Sequence, residues 1–195
     1  MKFSHFIAAA CFLAAATPAL ADRIKDNSFE TPALASGAQQ TFNIGDMIGP
    51  WTVVGQGDVT LIGPDNTIDG LSLQAKNGAQ FVNLAGDQRL KSGIEQTFRT
   101  VPGTQYILWF RVGAIVDRNQ GFRQTSTVDL FVDGEARGNF SVFANADSSK
   151  VTWAKVGAVF TAESNKTTVD FFNGDGPAGG FCGLDALTMA VDQEP

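Results

Sequence analysis

Beyond its first 21 residues, the chain alternates apolar and polar positions in short runs, and this alternation predicts β-strands. In the run 105–112, Tyr106, Leu108, Phe110 and Val112 occupy every second position, so they share one face of a strand. Further runs of this kind cover residues 51–56, 58–62, 71–75, 80–84, 93–100, 128–132, 140–143, 151–161, 168–172 and 184–191. Helical spacing nowhere persists for more than about two turns. The pattern predicts an all-β sandwich.

Turn residues separate these runs and predict how some of them pair. The Pro102-Gly103 pair suits a type II turn, so we expect the run 105–112 to fold back on the run 93–100 as a hairpin. The Asp133-Gly134 pair predicts a second hairpin, because both residues tolerate the positive φ of a tight turn. Residues 113–124 show little periodicity and are expected to form a long loop.

The N-terminal segment has the composition of a secretory signal peptide. Lys2 supplies the positive start, residues 6–16 the apolar run, and Ala21 ends a small-residue cleavage site. This apolar run is too short to span a membrane. We expect cleavage near Ala21, secretion to the periplasm or the exterior, and a single domain over residues 22–195.

Removal of the leader leaves 13 basic and 20 acidic side chains, a net charge of about −7. Such an acidic chain without a dense basic run is a poor partner for nucleic acid or an anionic membrane. The leader also takes away the one histidine of the chain, His5. This loss excludes the common histidine-dependent triads and histidine-bound zinc sites. Two carboxylates could still form a glycosidase pair, but twenty acids produce chance pairs, and we expect no enzyme.

Cleavage would leave Cys182 as the single cysteine of the mature chain. An internal disulfide is then impossible. We expect a small, buried, apolar thiol, with an intermolecular bridge as the alternative.

The two ends of the mature chain carry acids that suit a cation. Asp185 has the same parity as Leu187 and Met189 along its run, so its carboxylate is expected to point toward the core, where a charge needs compensation. Glu30 would supply the second carboxylate. Calcium is the expected ion, because it takes carboxylate and carbonyl oxygens and is available to exported proteins. Two further ligands are expected, a carbonyl of Ser28 and, from the loop at 64–70, Asp69.

A second interpretation needs no metal. In it, Asp185 accepts backbone hydrogen bonds and caps the loop at Gly183, while Glu30 is solvated.

Trp109 and Arg111 have the parity opposite to the apolar row of their run. Trp109 therefore either packs on a second apolar layer or faces a groove with Arg111. If the strand at 128–132 lies alongside, Asp129 and Phe131 share that face. Rings, an arginine and an acid would suit an oligosaccharide with hydroxyl or carboxylate groups. Two residues of the loop at 113–124 would extend this site, Arg118 and Arg123.

An ordered set of motifs resembles the DUF642 family, within the galactose-binding-like jelly-roll group of antiparallel β-sandwiches. The set spans almost the whole mature chain. It consists of Asn27–Pro32, Trp51, Asp69-Gly70, Ala79–Gly86, Gly93–Phe98, Pro102-Gly103, Tyr106–Phe110, Trp153, Phe160–Ala162 and Cys182–Asp185.

The resemblance implies an extracellular, polysaccharide-associated binding module. It also implies a structural calcium where the N-terminal Phe-Glu meets the C-terminal Asp, which matches Glu30 and Asp185. We therefore expect a secreted, non-catalytic module that binds carbohydrate or cell-envelope polysaccharide. The alternative is an extracellular protein-interaction or matrix module without sugar binding, since related plant members are thought to contact wall-modifying enzymes.

Overall fold

The fold is described from a computed structural model, which covers residues 24–117, 119, 121–176 and 180–192. The predicted leader and Arg118 lie outside these residues. Within them the chain forms strands and no α-helix. The strands are β1 Gln39–Phe42, β2 Met47–Ile48, β3 Trp51–Gly55, β4 Val59–Ile62, β5 Thr67–Ile68, β6 Leu71–Ser72, β7 Phe81–Asn83, β8 Ser92–Arg99, β9 Gln105–Ala114, β10 Thr125–Val132, β11 Glu135–Phe143, β12 Thr152–Thr161, β13 Lys166–Asn173 and β14 Gly183–Val191.

Two antiparallel sheets of six strands form a sandwich. The first sheet has the order β1-β4-β7-β14-β9-β12, the second has the order β11-β10-β13-β8-β3-β2, and β5 and β6 form a separate small hairpin. This arrangement confirms the predicted all-β jelly-roll sandwich of antiparallel strands.

The core between the sheets is built from the alternating apolar positions. Tyr106, Leu108, Phe110 and Val112 of β9 are all buried, as their spacing predicts. The ring of Phe110 meets the rings of Phe140 and Phe171 from the second sheet, each at a centroid distance of 5.1 Å. Burial of such rings removes apolar area from water, and each Å² so buried stabilises the fold by roughly 25 cal/mol. This burial holds the two sheets together.

The predicted hairpin between β8 and β9 is wrong, because the two strands belong to different sheets. Strand β8 pairs with β3 and β13, whereas β9 pairs with β12 and β14. The turn after β8 carries the chain across the core, and its Gly103 N–H donates to the carbonyl of Ala162 at 2.7 Å. A turn sets a local reversal, whereas non-local packing decides which strand becomes the neighbour.

The second predicted hairpin is confirmed. Strands β10 and β11 pair along their length, and the intervening Asp133 and Gly134 have φ values of 52° and 80°.

Cys182 is buried and makes no disulfide, as expected, and its Sγ lies 3.2 Å from the carbonyl oxygen of Thr127. Burial raises the pKa of this thiol, and the charges of Asp175 and Asp129 add to the rise.

A smaller apolar cluster lies on the outer face of the first sheet, away from the main core. The excursion at residues 63–80, which contains β5 and β6, covers part of this face. Trp153 of β12 packs edge-on against Phe81 at 5.3 Å, and its Nε1–H donates to the carbonyl of Gln74 at 3.0 Å. The buried members of this cluster are Ile62, Leu73, Phe81, Ile115, Val151 and Phe181.

We predict that Phe110→Ala lowers the free energy of unfolding by about 3–5 kcal/mol, because it leaves a cavity where three rings meet. Urea denaturation followed by tryptophan fluorescence would measure the change. The matched control is Phe143→Ala, which truncates a ring that is 67% exposed and should change the stability by less than about 0.5 kcal/mol. Equal losses in the two variants would contradict the assignment of the core.

Candidate functional site

The N-terminal segment is joined to the last strand by a reciprocal pair of hydrogen bonds. Leu187 N–H donates to the carbonyl of Asn27 at 2.8 Å, and Asn27 Nδ2 donates to the carbonyl of Leu187 at 2.8 Å. The two ends of the domain therefore meet, as the motifs predict.

Phe29 anchors this segment in the core. Its side chain is fully buried and its ring lies 5.6 Å from that of Trp51. Trp51 Nε1 donates to the carbonyl of Asp26 at 3.1 Å, and the carboxylate of Asp26 accepts the N–H groups of Glu30 and Thr31. This local cap turns the backbone so that the Glu30 side chain points away from Phe29 toward the loop before β7.

Glu30 binds one half of that loop. Its Oε1 accepts the backbone N–H groups of Ala79 and Gln80 at 2.9 and 3.1 Å. Gly78 has a φ of +67°, and a Cβ at this position would collide with the Glu30 carboxylate. Glycine is therefore required both by the turn and by the close approach of the acid. Glu30 is bound by the backbone, contrary to the interpretation in which it is solvated.

Asp185 binds the other half of the same loop. Its Oδ2 accepts the N–H groups of Lys76 and Asn77 at 2.7 and 2.8 Å, and its Oδ1 accepts the N–H of Ala186 at 2.6 Å. The residue is completely buried. The carboxylate does accept backbone hydrogen bonds, as the metal-free interpretation holds, but two of them come from residues 76 and 77 rather than from the loop at Gly183.

The predicted orientation of Asp185 is wrong. Asp185 pairs with Arg111, whereas Leu184 pairs with Val112, so Asp185 lies on the outer face of the first sheet and Leu184 on the core face. A bulge at Ala186, with a φ of 53°, then shifts the register and returns Leu187 to the core. The loop at 76–80 buries Asp185 from outside.

Burial raises the pKa of Asp185 from 3.8 to about 6. The backbone N–H groups of Asn77, Ala186 and Lys76 oppose this rise, and the charge of Glu30 adds to it. Two carboxylates thus repel each other across one loop. Nothing in the described part of the chain pairs either acid with a cationic side chain.

The other predicted calcium ligands are placed differently. Ser28 is half-buried in the segment between Asn27 and Phe29, so its carbonyl lies close to the junction along the chain. Asp69 is exposed in the turn between β5 and β6. Among the residues that the structure describes, no three His, Cys, Asp or Glu side chains are grouped around a possible metal position. Asp69 is thus not gathered with Glu30 and Asp185.

The predicted sugar site divides between the two sheets. Trp109 and Arg111 lie on β9 of the first sheet, whereas Asp129 and Phe131 lie on β10 of the second. The expectation that these four share a face is therefore wrong. Asp129 instead pairs with Lys91 at 3.3 Å on the outer face of the second sheet.

Phe131 stays with this second group. Its ring packs edge-on against that of Phe172 at 5.8 Å, and Lys91 Nζ lies 5.9 Å from the ring centroid of Phe131. Arg123 is exposed in the segment before β10, and none of its described contacts reaches Trp109.

Trp109 lies on an open part of the outer face of the first sheet. It is half-buried and belongs to neither apolar cluster, which favours the groove over the second apolar layer. On β12, Gly157 lies opposite Trp109, and a Cβ there would collide with the indole. The ring therefore lies low across the neighbouring strand. Lys155 Nζ lies 4.5 Å from its centroid.

Two cations flank this ring. Arg111 lies opposite Lys155 in the β9–β12 register, and neither forms an ion pair with any described residue. We call Trp109, Arg111, Lys155, Gly157 and Thr188 the Trp109 face. Lys155 and Gly157 were missed from sequence, because alternation alone does not show that β12 is the neighbour of β9.

Comparison with known proteins shows the family. The model of the DUF642 family, described as "Protein of unknown function (DUF642)", matches residues 22–189. The chain belongs to the DUF642 family. The family prediction is thus confirmed, and no curated protein matches this DUF642 chain significantly.

Solved structures of low sequence identity share the sandwich. A cyclase from Fischerella sp. TAU has a TM-score of 0.59 at 15% identity, over 90% of this chain and 99% of its own. A Stig cyclase, Fisc, from the same organism has a TM-score of 0.58 at 16% identity, and the match covers 89% of this chain and 100% of the cyclase. A family 35 carbohydrate binding module from Clostridium thermocellum has a TM-score of 0.49 at 15% identity, and the match covers 80% of this chain and 99% of the module. At these identities the likeness shows the fold alone.

The described residues contain no helix long and apolar enough to cross a bilayer.

We predict that Asp185 makes the protein less stable as the pH rises from about 4 to about 7. The folded carboxyl holds its proton up to about pH 6, whereas the unfolded one releases it near 3.8, so folding binds a proton in this window. The free energy of unfolding of Asp185→Asn minus that of the wild type should therefore grow by up to roughly 3 kcal/mol across it.

Urea denaturation in EDTA at several pH values would measure this difference. Asp170→Asn provides the comparison. Burial and the charge of Glu95 also raise the pKa of Asp170 to about 6, and this residue lies on the other sheet, so its contribution should add independently. A difference for Asp185→Asn that stays constant with pH would contradict the assignment.

Proposed function

We propose that this protein is a secreted, non-catalytic module that binds carbohydrate through the Trp109 face, with a structural calcium at the junction of the chain ends. One observation carries the proposal: a half-buried indole lies low on an open sheet face, beside two cations that have no acidic partner among the described residues.

The geometry of the Trp109 face suits a sugar chain. A flat ring with a small residue beneath it presents an apolar surface to the C–H face of a sugar, and the surrounding polar groups reach its hydroxyls. The ammonium group of Lys155 lies over the Trp109 ring at an exposed site, where a cation–π contact contributes only about 0.5–1 kcal/mol. A ligand can therefore displace it at little cost. Arg111 and Lys155 are suited to carboxylates. The preferred ligand is therefore a polysaccharide that carries acidic groups.

Calcium fits the junction by its chemistry. Glu30 and Asp185 offer hard carboxylate oxygens, Ser28 a nearby carbonyl, and Glu30 Oε2 makes no hydrogen bond with any described residue. Burial is the main cause of the raised pKa of Asp185, and the charge of Glu30 adds to it; a cation between the two acids would remove this added repulsion. Two carboxylates would coordinate the calcium, and carbonyl oxygens and water would complete its ligands. We therefore expect a dissociation constant for calcium in the submillimolar to millimolar range typical of extracellular modules.

The leader at residues 1–21 supports secretion, and secretion would bring the protein to such calcium concentrations.

One pair of neighbouring carboxylates, Glu95 and Asp170, bears on the possibility of glycoside hydrolysis. Glu95 and Asp170 lie opposite each other on β8 and β13, and the charge of Glu95 adds to the rise that burial causes in the pKa of Asp170. Glycosidase carboxyl groups stand roughly 5 Å or more apart, so that a sugar fits between them. Direct cross-strand neighbours such as Glu95 and Asp170 leave no room for a sugar between their carboxyl groups, so this pair does not suit glycoside hydrolysis.

A protein partner at the same face is the second candidate. Val159 of β12 is 43% exposed and lies opposite Ile107 beside the tryptophan, so the face also offers apolar area for another protein.

We predict that Trp109→Ala weakens polysaccharide binding at least tenfold, since a lost stacking contact of about 1.4 kcal/mol is a factor of ten. Affinity electrophoresis in gels with acidic or neutral polysaccharides would measure the retardation of the mature protein. Lys155→Gln should weaken binding to the acidic polymers alone, and high salt should imitate its effect.

The control is Phe143→Ala, which removes an exposed ring from the other sheet and should leave the retardation unchanged. If no polysaccharide retards the wild type while a protein partner binds and depends on Trp109, the second candidate function is correct. Retardation that survives Trp109→Ala would contradict the assignment of the face.

We predict that millimolar calcium raises the melting temperature of the wild type above its value in EDTA. Glu30→Gln keeps an acceptor for the N–H groups of residues 79 and 80 but removes one charge. This variant should lose most of the increment, yet in EDTA it should be at least as stable as the wild type, because the repulsion of Asp185 is gone.

Scanning calorimetry with and without calcium would measure both values. Asp69→Asn is the matched control, and it should keep the full increment. No effect of calcium on the wild type would exclude the ion, whereas loss of the increment in Asp69→Asn would bring that residue into the site.

A further inference from the structure

A separate pocket opens toward the other edge of the first sheet, on the same outer face, and borders the apolar cluster that contains Phe81 and Phe181. It lies over β1, β4 and β7 and has a volume of about 150 Å³. An engineered protein cavity of roughly this volume holds a benzene ring, so the pocket is the size of one six-membered ring.

The floor of the pocket carries a hydroxyl without a partner. Thr60 of β4 is only 2% exposed, it lines the pocket, and its Oγ1 is buried with no hydrogen-bond partner among the described residues. A buried hydroxyl normally has a partner, because leaving it unpaired is costly. The Thr60 hydroxyl is therefore an unsatisfied group just beneath the floor of the pocket, which a small side-chain rotation would present to a ligand.

Asn83 supplies a second polar group beside Thr60. The two residues are opposite each other in the β4–β7 register. Asn83 Oδ1 accepts the N–H groups of Ala85 and Cys182 at 3.2 and 2.9 Å, which fixes the orientation of the amide. Its Nδ2 makes no hydrogen bond within the described part of the chain, so this donor is directed to whatever occupies the pocket. Thr60 and Asn83 thus offer one hydroxyl and one NH₂ group side by side.

The remaining walls combine apolar and aromatic side chains with the polar side chains of Gln39, Asp87 and Arg89. Ile62 and Leu73 belong to the outer cluster, and the rings of Phe122 and Phe181 line the pocket with centroids 6.1 Å apart. The guanidinium of Arg89 lies 5.4 Å from the Phe122 centroid. One side of a bound ring would thus meet apolar surface and the other side polar groups.

We propose that this Thr60 pocket, defined by Thr60, Asn83, Ile62, Leu73, Phe122 and Phe181, binds a single pyranose ring. A ligand that enters a pocket with such polar groups binds favourably only if it makes hydrogen bonds with them in place of solvent. The hydroxyls of a sugar do so, whereas an apolar ring does not. The ring is either a free monosaccharide or the terminal unit of a glycan, and this site is distinct from the Trp109 face.

The test is a titration of ¹⁵N-labelled mature protein, followed by NMR, with a panel of neutral and acidic monosaccharides and their disaccharides. Cyclohexanol serves as a ring of the same size with one hydroxyl. At least one sugar should shift the Thr60 and Asn83 backbone amides and the Asn83 side-chain NH₂ saturably, and cyclohexanol should not. A response to disaccharides alone would identify a glycan end as the source of the ring, and a response to monosaccharides alone would identify a free sugar.

Thr60→Val should weaken this binding at least tenfold and leave the melting temperature equal or higher, because the hydroxyl that it removes has no partner. The matched control is Ser92→Ala, which removes another buried hydroxyl without a described partner, away from the pocket, and should bind as the wild type does. Asn83→Asp keeps Oδ1 and replaces the donor, so it tests the site if Thr60→Val does not fold. Trp109→Ala should leave the shifts unchanged, which separates this pocket from the polysaccharide site.

The proposal is overturned if no sugar in the panel gives saturable shifts at Thr60 and Asn83. It is also overturned if a folded Thr60→Val or Asn83→Asp protein binds with wild-type affinity.

Discussion

The structure depends on one short stretch of backbone, whose N–H groups bind two carboxylates from opposite ends of the domain. Residues 76 and 77 bind Asp185 from the last strand, while residues 79 and 80 bind Glu30 from the N-terminal segment. The Gln80 side chain adds hydrogen bonds to the carbonyls of Phe29 and Pro32. Because the acids cannot leave water without partners, this loop has to close over them. Closure of the sandwich and burial of the charges are therefore one event.

The same closure decides which part of the outer face remains available to a ligand. The excursion at 63–80 lies over the middle of the first sheet, where Trp153 donates to Gln74 and packs against Phe81. Trp109 remains open on one side of this cover, and Thr60 lies in a pocket on the other. Each of these two proposed sugar sites thus owes its position to the loop that the two acids hold, although neither acid belongs to a sugar site.

The sandwich by itself does not choose between binding and catalysis. Solved cyclases share it at 15–16% identity, and chemistry belongs to particular groups rather than to a fold. In this chain the half-buried indole of Trp109, the two cations beside it without a described acidic partner, and the unpartnered hydroxyl of Thr60 are the groups on which the proposed binding role depends. The close Glu95–Asp170 pair shows how a surface rich in acids can bring carboxylates together without the spacing that hydrolysis requires.

The alternation of apolar residues in β9 determined which of its side chains enter the core and which face outward, because strand parity is a property of neighbouring residues along the chain. The same local information identified the Asp133-Gly134 turn, whereas the meeting of Glu30 and Asp185 at one junction was expected from the compensation that a buried carboxylate needs and from the resemblance to the DUF642 family. It failed where distant segments decide the outcome. The bulge at Ala186 reversed the parity of Asp185, and the assignment of β9 and β10 to opposite sheets separated Trp109 from Asp129 and Phe131. Only the tertiary structure placed Lys155 beside Trp109 and left the Thr60 hydroxyl without a partner, since both depend on which strands become neighbours, and packing across the whole domain selects them.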